Sequence, residues 1–406
     1  MHPHLTTVCA ATDATFAPVP SPPDEDRARR LFRDSISFIV HDHDLLRADV
    51  ERFRRSGVTA KQVHISCDGQ IYADQETFWS SATPQQLVRE RERVGASTDD
   101  LPTLIDTEAS GLFVRSALVA IEHLREQIDA SGGGLVLALE PGDIVAAKRA
   151  GTAALLLGSE GSRLIQSDLG VLRALYRLGL RHLQLSWAWE TSAGTPQSDT
   201  SGRGLSEFGR DLVRELNDLG VIVDVAHLSY ASIAEVVDAS RVPVLCSHTG
   251  ALALNPEQTV CLPDALIKKI AAAGGILAVH FMSQIVKPGR HKATFAELMA
   301  QITHIAALVG PDHVGLAPDY APLDPRMWTN YGITVPYSFA DGVEDVGQMV
   351  NVSRGLVDAG FTDDQVRGIL GENVMRLFRD VRKARRPTAG LETALLGTRT
   401  AGTTPL

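Results

Sequence analysis

One pattern narrows the folds open to this chain more than any other. A short apolar run stops at a polar residue, a stretch of helical spacing follows, and the unit repeats. From Ala153 the repeat is regular. Apolar runs at Ala153–Leu157, His182–Ser186, Val221–Val225, Pro243–Cys246, Ile276–Val279 and Val314–Ala317 end at or just before Glu160, Ser186, His227, His248, His280 and Asp319. Helical spacing fills the intervals at Leu169–Leu178, Phe208–Leu219, Ile233–Ala239, Pro263–Ala273 and Phe295–Val309. Upstream, the run Ile36–Val40 stops at His41-Asp42-His43-Asp44, and Ala60–Ser66 carries His64 near its end. Short apolar runs with polar flanks read as strands buried on both faces. Eight of them, each followed by helix, predict an α/β fold of the (β/α)8 barrel type, whose active site forms where the strands end.

The rest of the chain fits around that barrel. Residues 1–23 are rich in Pro, Ala and Thr and read as a flexible arm. Helices are expected at Asp24–Asp34 and at Arg47–Ser56, the second ending at Gly57. Residues 67–132 break the rhythm as a helical insertion with patterns at Pro84–Val94 and Thr107–Ala130. Leu135–Leu139 reads as an accessory strand before the helix Gly142–Ala150. An aromatic loop after Asp319 leads to helices at Val343–Ala359 and Thr362–Val381. Residues 24–384 thus form a single barrel domain, and the Thr/Gly/Pro-rich tail 385–406 is expected to be disordered.

Composition excludes several partners. A net charge of −10 argues against nucleic acid and against anionic membrane. No apolar run is long enough to span a bilayer, and with no basic n-region or sustained apolar core the N-terminus is not expected to act as a secretory signal. The four cysteines, Cys9, Cys67, Cys246 and Cys261, are scattered without a CxxC pair, so neither a disulfide framework nor a thiolate zinc site is indicated. The expectation is a cytoplasmic protein with a small-molecule substrate, assembled as a homodimer.

The strand ends carry the chemistry. Residues two apart in a strand point the same way, so His41 and His43 project together. Imidazoles and carboxylates converging on one barrel mouth make a metal site. Glu160, between glycines in GSEG, is placed to bridge two metals, and His227 and His248 come from adjacent strands. Asp319 is placed to bind metal or to accept a proton. His123 and His304 lie in helical patterns, and His2, His4 and His291 in loops or tails, all read as surface residues. His182 and His313 read as lying at the wrong end of the barrel. Of the loop aromatics Trp187, Trp189, Phe281, Tyr320, Trp328, Tyr331, Tyr337 and Phe339, about half are expected to pack loops together. The remainder are expected to wall an apolar pocket for a bulky substrate.

Four segments carry a family resemblance: GSEGSRLIQSDLGVLRALYRLGLRHLQLS, GLSEFGRDLVRELNDLGVIVDVAHLS, PVLCSHTGA and DHVGLAPDY. In order and spacing they resemble the renal (membrane) dipeptidase family, a metallopeptidase branch of the amidohydrolase superfamily. The resemblance runs from about Ala153 to Asp319 and weakly into the C-terminal helices. It implies a barrel with a dinuclear metal centre. Glu160 would bridge the metals, His227 and His248 would hold the second, and Asp319 would be the acid beside the metal-bound water.

The departures matter as much. The family's first motif is His-x-Asp followed by Leu, against His41-Asp42-His43-Asp44-Leu45 here. Either His41 and His43 form the pair, or Asp44 takes the family Asp's place and Asp42 falls where the family has His. Trp187 stands where the family has a substrate-binding His, and Asn255-Pro256-Glu257-Gln258 where it has an arginine for the substrate carboxylate. His64 and His280 stand where it tends to have Gln and Asn. His64, Trp187, His280 and Tyr320 are therefore the expected substrate contacts.

Two reaction classes follow. The favoured expectation is a nonheme diiron monooxygenase, using two irons and dioxygen to hydroxylate a bulky apolar substrate. The chain resembles the enzyme type of this superfamily found in platensimycin and platencin diterpenoid biosynthesis, which acts on a CoA-linked diterpenoid, although no phosphate-binding loop for CoA is visible. The alternative is a zinc-dependent dipeptidase or amidohydrolase of altered specificity, with Asp319 as base. A catalytically dead binding protein is argued against by the intact metal-type residues.

Overall fold

The computed structural model describes residues 24–43, 47–68, 111–187, 190–289, 291–320 and 338–386. The expectations for the N-terminal arm, Asp44, the helix at Pro84–Val94, Trp189, Trp328, Tyr331, Tyr337 and most of the tail lie outside these residues. Nine parallel strands form one sheet: β1 (Phe38–Ile39), β2 (Ala60–Cys67), β3 (Leu135–Leu137), β4 (Ala153–Glu160), β5 (His182–Gln184), β6 (Ile222–Asp224), β7 (Leu245–Thr249), β8 (Ile276–His280) and β9 (Val314–Ala317). Their order is β3-β4-β2-β1-β9-β8-β7-β6-β5. The early residues of β4 pair with β3. Further along β4, Leu157 bridges Leu180 in parallel, and the Arg181 N–H reaches the Leu157 carbonyl at 3.0 Å. That link joins β4 to β5 and closes eight of the strands into a barrel, leaving β3 outside it as the accessory strand expected from Leu135–Leu139.

β1, β2 and β4–β9 are buried on both faces, because helices cover their outside and side chains of the other strands fill the inside. Helix Glu207–Leu219 illustrates how local sequence sets the elements. Ser206 caps it by accepting from the Gly209 N–H, Leu212, Val213 and Leu216 turn inward, and Gly220 ends it in the left-handed conformation. The strands differ from expectation mainly at their ends. β7 runs through His248 rather than stopping before it, and β5 and β6 are three residues each. The expected C-terminal helix Thr362–Val381 is broken. Asp363–Arg367 passes through a wider turn, Gly368–Glu372, into Asn373–Lys383. The break falls where a Cβ on Gly371 would lie 2.5 Å from the Ile36 carbonyl and 2.7 Å from the Phe38 nitrogen, so only glycine lets this turn lie against β1.

The last helix plugs the barrel floor. Met375, Phe378 and Val381 pack in one apolar cluster with Phe38, Ala60, Ala154, Ile222, Leu245 and Ile276, residues near the starts of their strands. Truncating Phe378 in such a site costs about 3–5 kcal/mol. Arg382 fixes the helix end by donating to the Leu219 and Gly220 carbonyls and pairing with Glu140. With the floor closed by apolar packing, the polar strand ends are left at the other mouth.

Candidate metal centre

The mouth gathers the residues named from the sequence. Just past the end of β1, His41 and His43 turn to one side, with their Nε2 atoms 3.1 Å apart. Asp42 points the other way, into a buried ion pair with Lys61 at 3.1 Å. Glu160, the last residue of β4, lies among the imidazoles. Its Oε2 is 3.1 Å from His43 Nε2, and its Oε1 is 3.5, 3.3 and 3.8 Å from the Nε2 atoms of His41, His227 and His248. The Asp319 Oδ1 lies 3.5 and 3.3 Å from the Nε2 atoms of His41 and His43. His227 at φ 63 and Asp319 at φ 56 hold left-handed backbone conformations that cost a non-glycine residue about 1–3 kcal/mol.

Hydrogen bonds on the far side of the rings decide what the near side offers. His41 Nδ1 and His248 Nδ1 lie 3.2 and 2.9 Å from the single hydroxyl of Ser247, and His227 Nδ1 lies 2.8 Å from Gln197 Oε1. A ring that donates from Nδ1 presents a bare lone pair at Nε2, the usual state of a metal-binding histidine with an outer partner. The Nε2 atoms of His227 and His248 face each other at 2.6 Å, an arrangement that a shared cation relieves. Burial and the neighbouring rings hold His41 well below the ordinary histidine range and His248 down at about 3. Burial also disfavours a charge on His43, but the Glu160 and Asp319 carboxylates outweigh it and push His43 up to about 10. The field between the two carboxylates therefore favours positive charge. His41, His43 and His64 bring one donor atom each within 4.8 Å of one another, as do His41, Glu160 and His248, and both groups could hold a metal ion. Imidazole nitrogens with a carboxylate suit zinc and iron alike.

The residues expected to contact substrate are placed variously. Trp187 is half-buried, its ring 6.4 Å edge-on from that of His227. His64 is buried in the metal layer, its ring 4.2 Å from that of His41 and 4.8 Å from that of His43. His280 Nε2 lies 3.1 Å from Asp319 Oδ2. The Tyr320 hydroxyl donates to the Val343 carbonyl at 2.8 Å, and its ring packs edge-on against Phe339. Phe281 is buried in the core, as the packing role expects of some of these aromatics. Glu257 is exposed and accepts from the Gly289 N–H at 2.9 Å, while Asn255 beside it is buried and donates to the Gln284 and Ile285 carbonyls.

Two expectations are corrected. His182 is not remote from the site. It points into the barrel beneath the metal layer, with Nε2 2.9 Å from Asp224 Oδ2 and Nδ1 2.9 Å from the Gln62 amide, which lies 2.8 Å from His64. Barrel interiors fill in layers, so a residue at a strand's start can still support one at a neighbour's end. His123 is buried, not superficial, and lies 2.7 Å from Gln127 one turn on along a helix that packs on β2. Ser247, Gln62, Asp224 and Cys67, whose thiol donates to Glu160 Oε2 at 3.1 Å, were not singled out from the sequence. Alternation marks Ser247 only as the neighbour of His248.

A parallel α/β barrel with imidazoles and two carboxylates gathered at its mouth defines the amidohydrolase-type class of metal-site folds. The family model for membrane dipeptidases (peptidase family M19) matches residues 38–391, and the chain belongs to that family. It is 29% identical over 281 residues to the dipeptidase tcpJ of Claviceps purpurea, a match covering 68% of this chain and 63% of that protein. The chain thus spans just under two thirds of that curated relative's length. Its fold matches an amidohydrolase from Pseudomonas aeruginosa (TM-score 0.71, 22% identity, 87% of this chain and 98% of that one). It also matches a metallopeptidase from Rhodobacter sphaeroides liganded with a phosphinate mimic of the dipeptide L-Ala-D-Ala (TM-score 0.67, 20% identity, 86% of this chain and all of that one).

Proposed function

We propose that this protein is a dinuclear-metal hydrolase of dipeptidase type whose substrate specificity has shifted toward bulkier, less polar amides. The carrying observation is Glu160, whose two oxygens face Nε2 atoms of four imidazoles. His41, His43 and Glu160 would hold one divalent ion, and Glu160, His227 and His248 the other. Bound there, the metals would supply a Lewis acid and an acidified water. Hydrolysis adds water to the carbonyl carbon and breaks the C–N bond, so a proton must leave the water and one must reach the amine. Asp319 is the group to carry it. Burial opposes its charge, but hydrogen bonds from His280 and His43 outweigh that and hold the carboxyl well below the ordinary range, an ionised acceptor. Trp187 beside His227 would close one wall on an apolar group.

The described residues contain no helix long and apolar enough to cross a membrane. Cys246 and Cys261 are buried free thiols, which supports the cytoplasmic placement. The described surface offers the expected homodimer little apolar area, with Leu118 and Tyr230 its large exposed hydrophobics.

The test is to load metal-free protein with zinc and assay simple dipeptides alongside N-acylated amino acids carrying bulky apolar acyl groups. Hydrolysis favouring the bulky amides is expected. No hydrolysis of any amide by protein holding two zincs would defeat the reading. A second reading, iron-dependent oxygenation of a bulky apolar substrate, draws on the third clustered imidazole, His64. Two irons per chain after growth in iron-supplemented medium, with dioxygen uptake on adding such a substrate, would favour it instead.

A further inference from the structure

His280 ends β8 at the mouth, its ring 5.3 Å from that of His248. Its hydrogen bonding is opposite to that of the rings around Glu160. The Met282 N–H donates to His280 Nδ1 at 3.2 Å. A ring nitrogen that accepts carries no proton, so the neutral ring carries its proton on Nε2. That Nε2 lies 3.1 Å from Asp319 Oδ2, where an N–H donates to a carboxylate. His41, His227 and His248 instead set Nδ1 against the Ser247 hydroxyl or Gln197 Oε1 and turn Nε2 toward Glu160. His280 is therefore built as a donor and not as a ligand.

We propose that His280 is a positioning residue for Asp319, and not the substrate contact expected from the sequence. Met282 fixes the tautomer, and His280 Nε2–H holds Oδ2. Oδ1 is thereby kept turned toward His41 and His43, 3.5 and 3.3 Å away, as the oxygen that accepts the proton. The backbone anchors the same residue, with the Asp319 N–H donating to the His41 carbonyl at 3.2 Å. Held at backbone and at Oδ2, the carboxylate keeps Oδ1 in one place, the preorganisation that proton transfer requires. The proposal rests on the reading of Asp319 as the base.

Two measurements test it. Long-range proton–nitrogen NMR of histidine-labelled protein reports the tautomer directly, with His280→Asn used to assign the signal. The Nε2–H form is expected at His280, and the Nδ1–H form would overturn the proposal. The second measurement is hydrolysis of the bulky N-acyl amino acid panel by zinc-loaded variants. His280→Leu, which fills the space without a donor, should lower kcat 10- to 100-fold with KM within about twofold and metal content unchanged. His280→Asn, whose amide N–H can replace the donor, should restore most of kcat. An unchanged kcat in the Leu variant, or an Asn variant no better than Leu, would overturn the proposal. Should the wild-type protein hydrolyse nothing in the panel, the hydrolase reading fails, while the tautomer still decides whether His280 holds Asp319.

Discussion

The hydroxyl of Ser247 lies 3.2 Å from Nδ1 of His41, a residue 206 positions earlier and three strands round the sheet. The same oxygen is 2.9 Å from Nδ1 of His248. A hydroxyl has two acceptor lone pairs, so one Ser247 oxygen can take both N–H groups and aim both Nε2 atoms at Glu160. Two rings assigned to different metals thus share one orienting group.

Ser247→Ala should leave two buried N–H groups without an acceptor and release both rings. Outer-shell losses of this kind typically weaken metal binding 10- to 100-fold. Competition for zinc against a chromophoric chelator measures it. An affinity equal to wild type, in a variant with an unchanged thermal melt, would show that Ser247 orients neither ring.

Glu160→Ala removes the group that faces both proposed metals. Two divalent ions at bridging distance repel strongly, and a shared carboxylate offsets that repulsion. Elemental analysis should find at least one metal lost per chain. Two metals retained at full occupancy would remove Glu160 from the bridging role.

Much of this was legible in the sequence because strand alternation and strand ends are local signals. His41 and His43 share a face because they are two apart, and Glu160, His227, His248 and Asp319 each follow an apolar run. The barrel itself follows from counting those runs. What was not legible depends on residues distant in the chain. His182 begins its strand, and only the layering of the barrel interior sets its ring against Gln62, 120 residues earlier. The tautomers of His41 and His280 depend on Ser247 and on the Met282 backbone, which no pattern announces. Glu257, an acid where the resembled family has an arginine, turns its carboxylate to the Gly289 N–H, a contact that sequence gives no means to foresee.

Gly161→Ala tests how tightly the end of β4 is packed. Gly161 holds φ +98, and a Cβ there would lie 2.0 Å from Cγ of Asp68. Asp68 cannot easily retreat, because it is buried and its Oδ1 accepts from the Arg163 N–H at 2.9 Å. Backbone strain of about 1–3 kcal/mol and overpacking of about 1–3 kcal/mol should add in denaturant unfolding of the variant. Adding Asp68→Ala should recover the overpacking share alone. A loss below about 1 kcal/mol in the single variant would mean that this segment rearranges freely.

Trp187 is where specificity can be tested apart from metal binding. It stands on the segment after β5, half-buried, with its ring edge-on to His227 rather than among the nitrogens around Glu160. An indole donates but cannot accept, and it presents a large apolar face, so it suits an apolar substrate group better than a charged one. Trp187→Ala should leave two metals in place and weaken binding of a bulky acyl amide by on the order of 2 kcal/mol, roughly 30-fold in KM. Trp187→His restores an imidazole at the mouth, but the Asn255–Gln258 segment still offers no cation to a substrate carboxylate, and Asn255 is committed to two backbone carbonyls. That variant is expected to gain less than about tenfold in hydrolysis of simple dipeptides, since a single imidazole does not replace a guanidinium fork. Kinetics of both variants on both substrate classes decide the matter. A Trp187→His protein that turns over simple dipeptides efficiently would place specificity in this one residue and remove the need for a missing carboxylate partner.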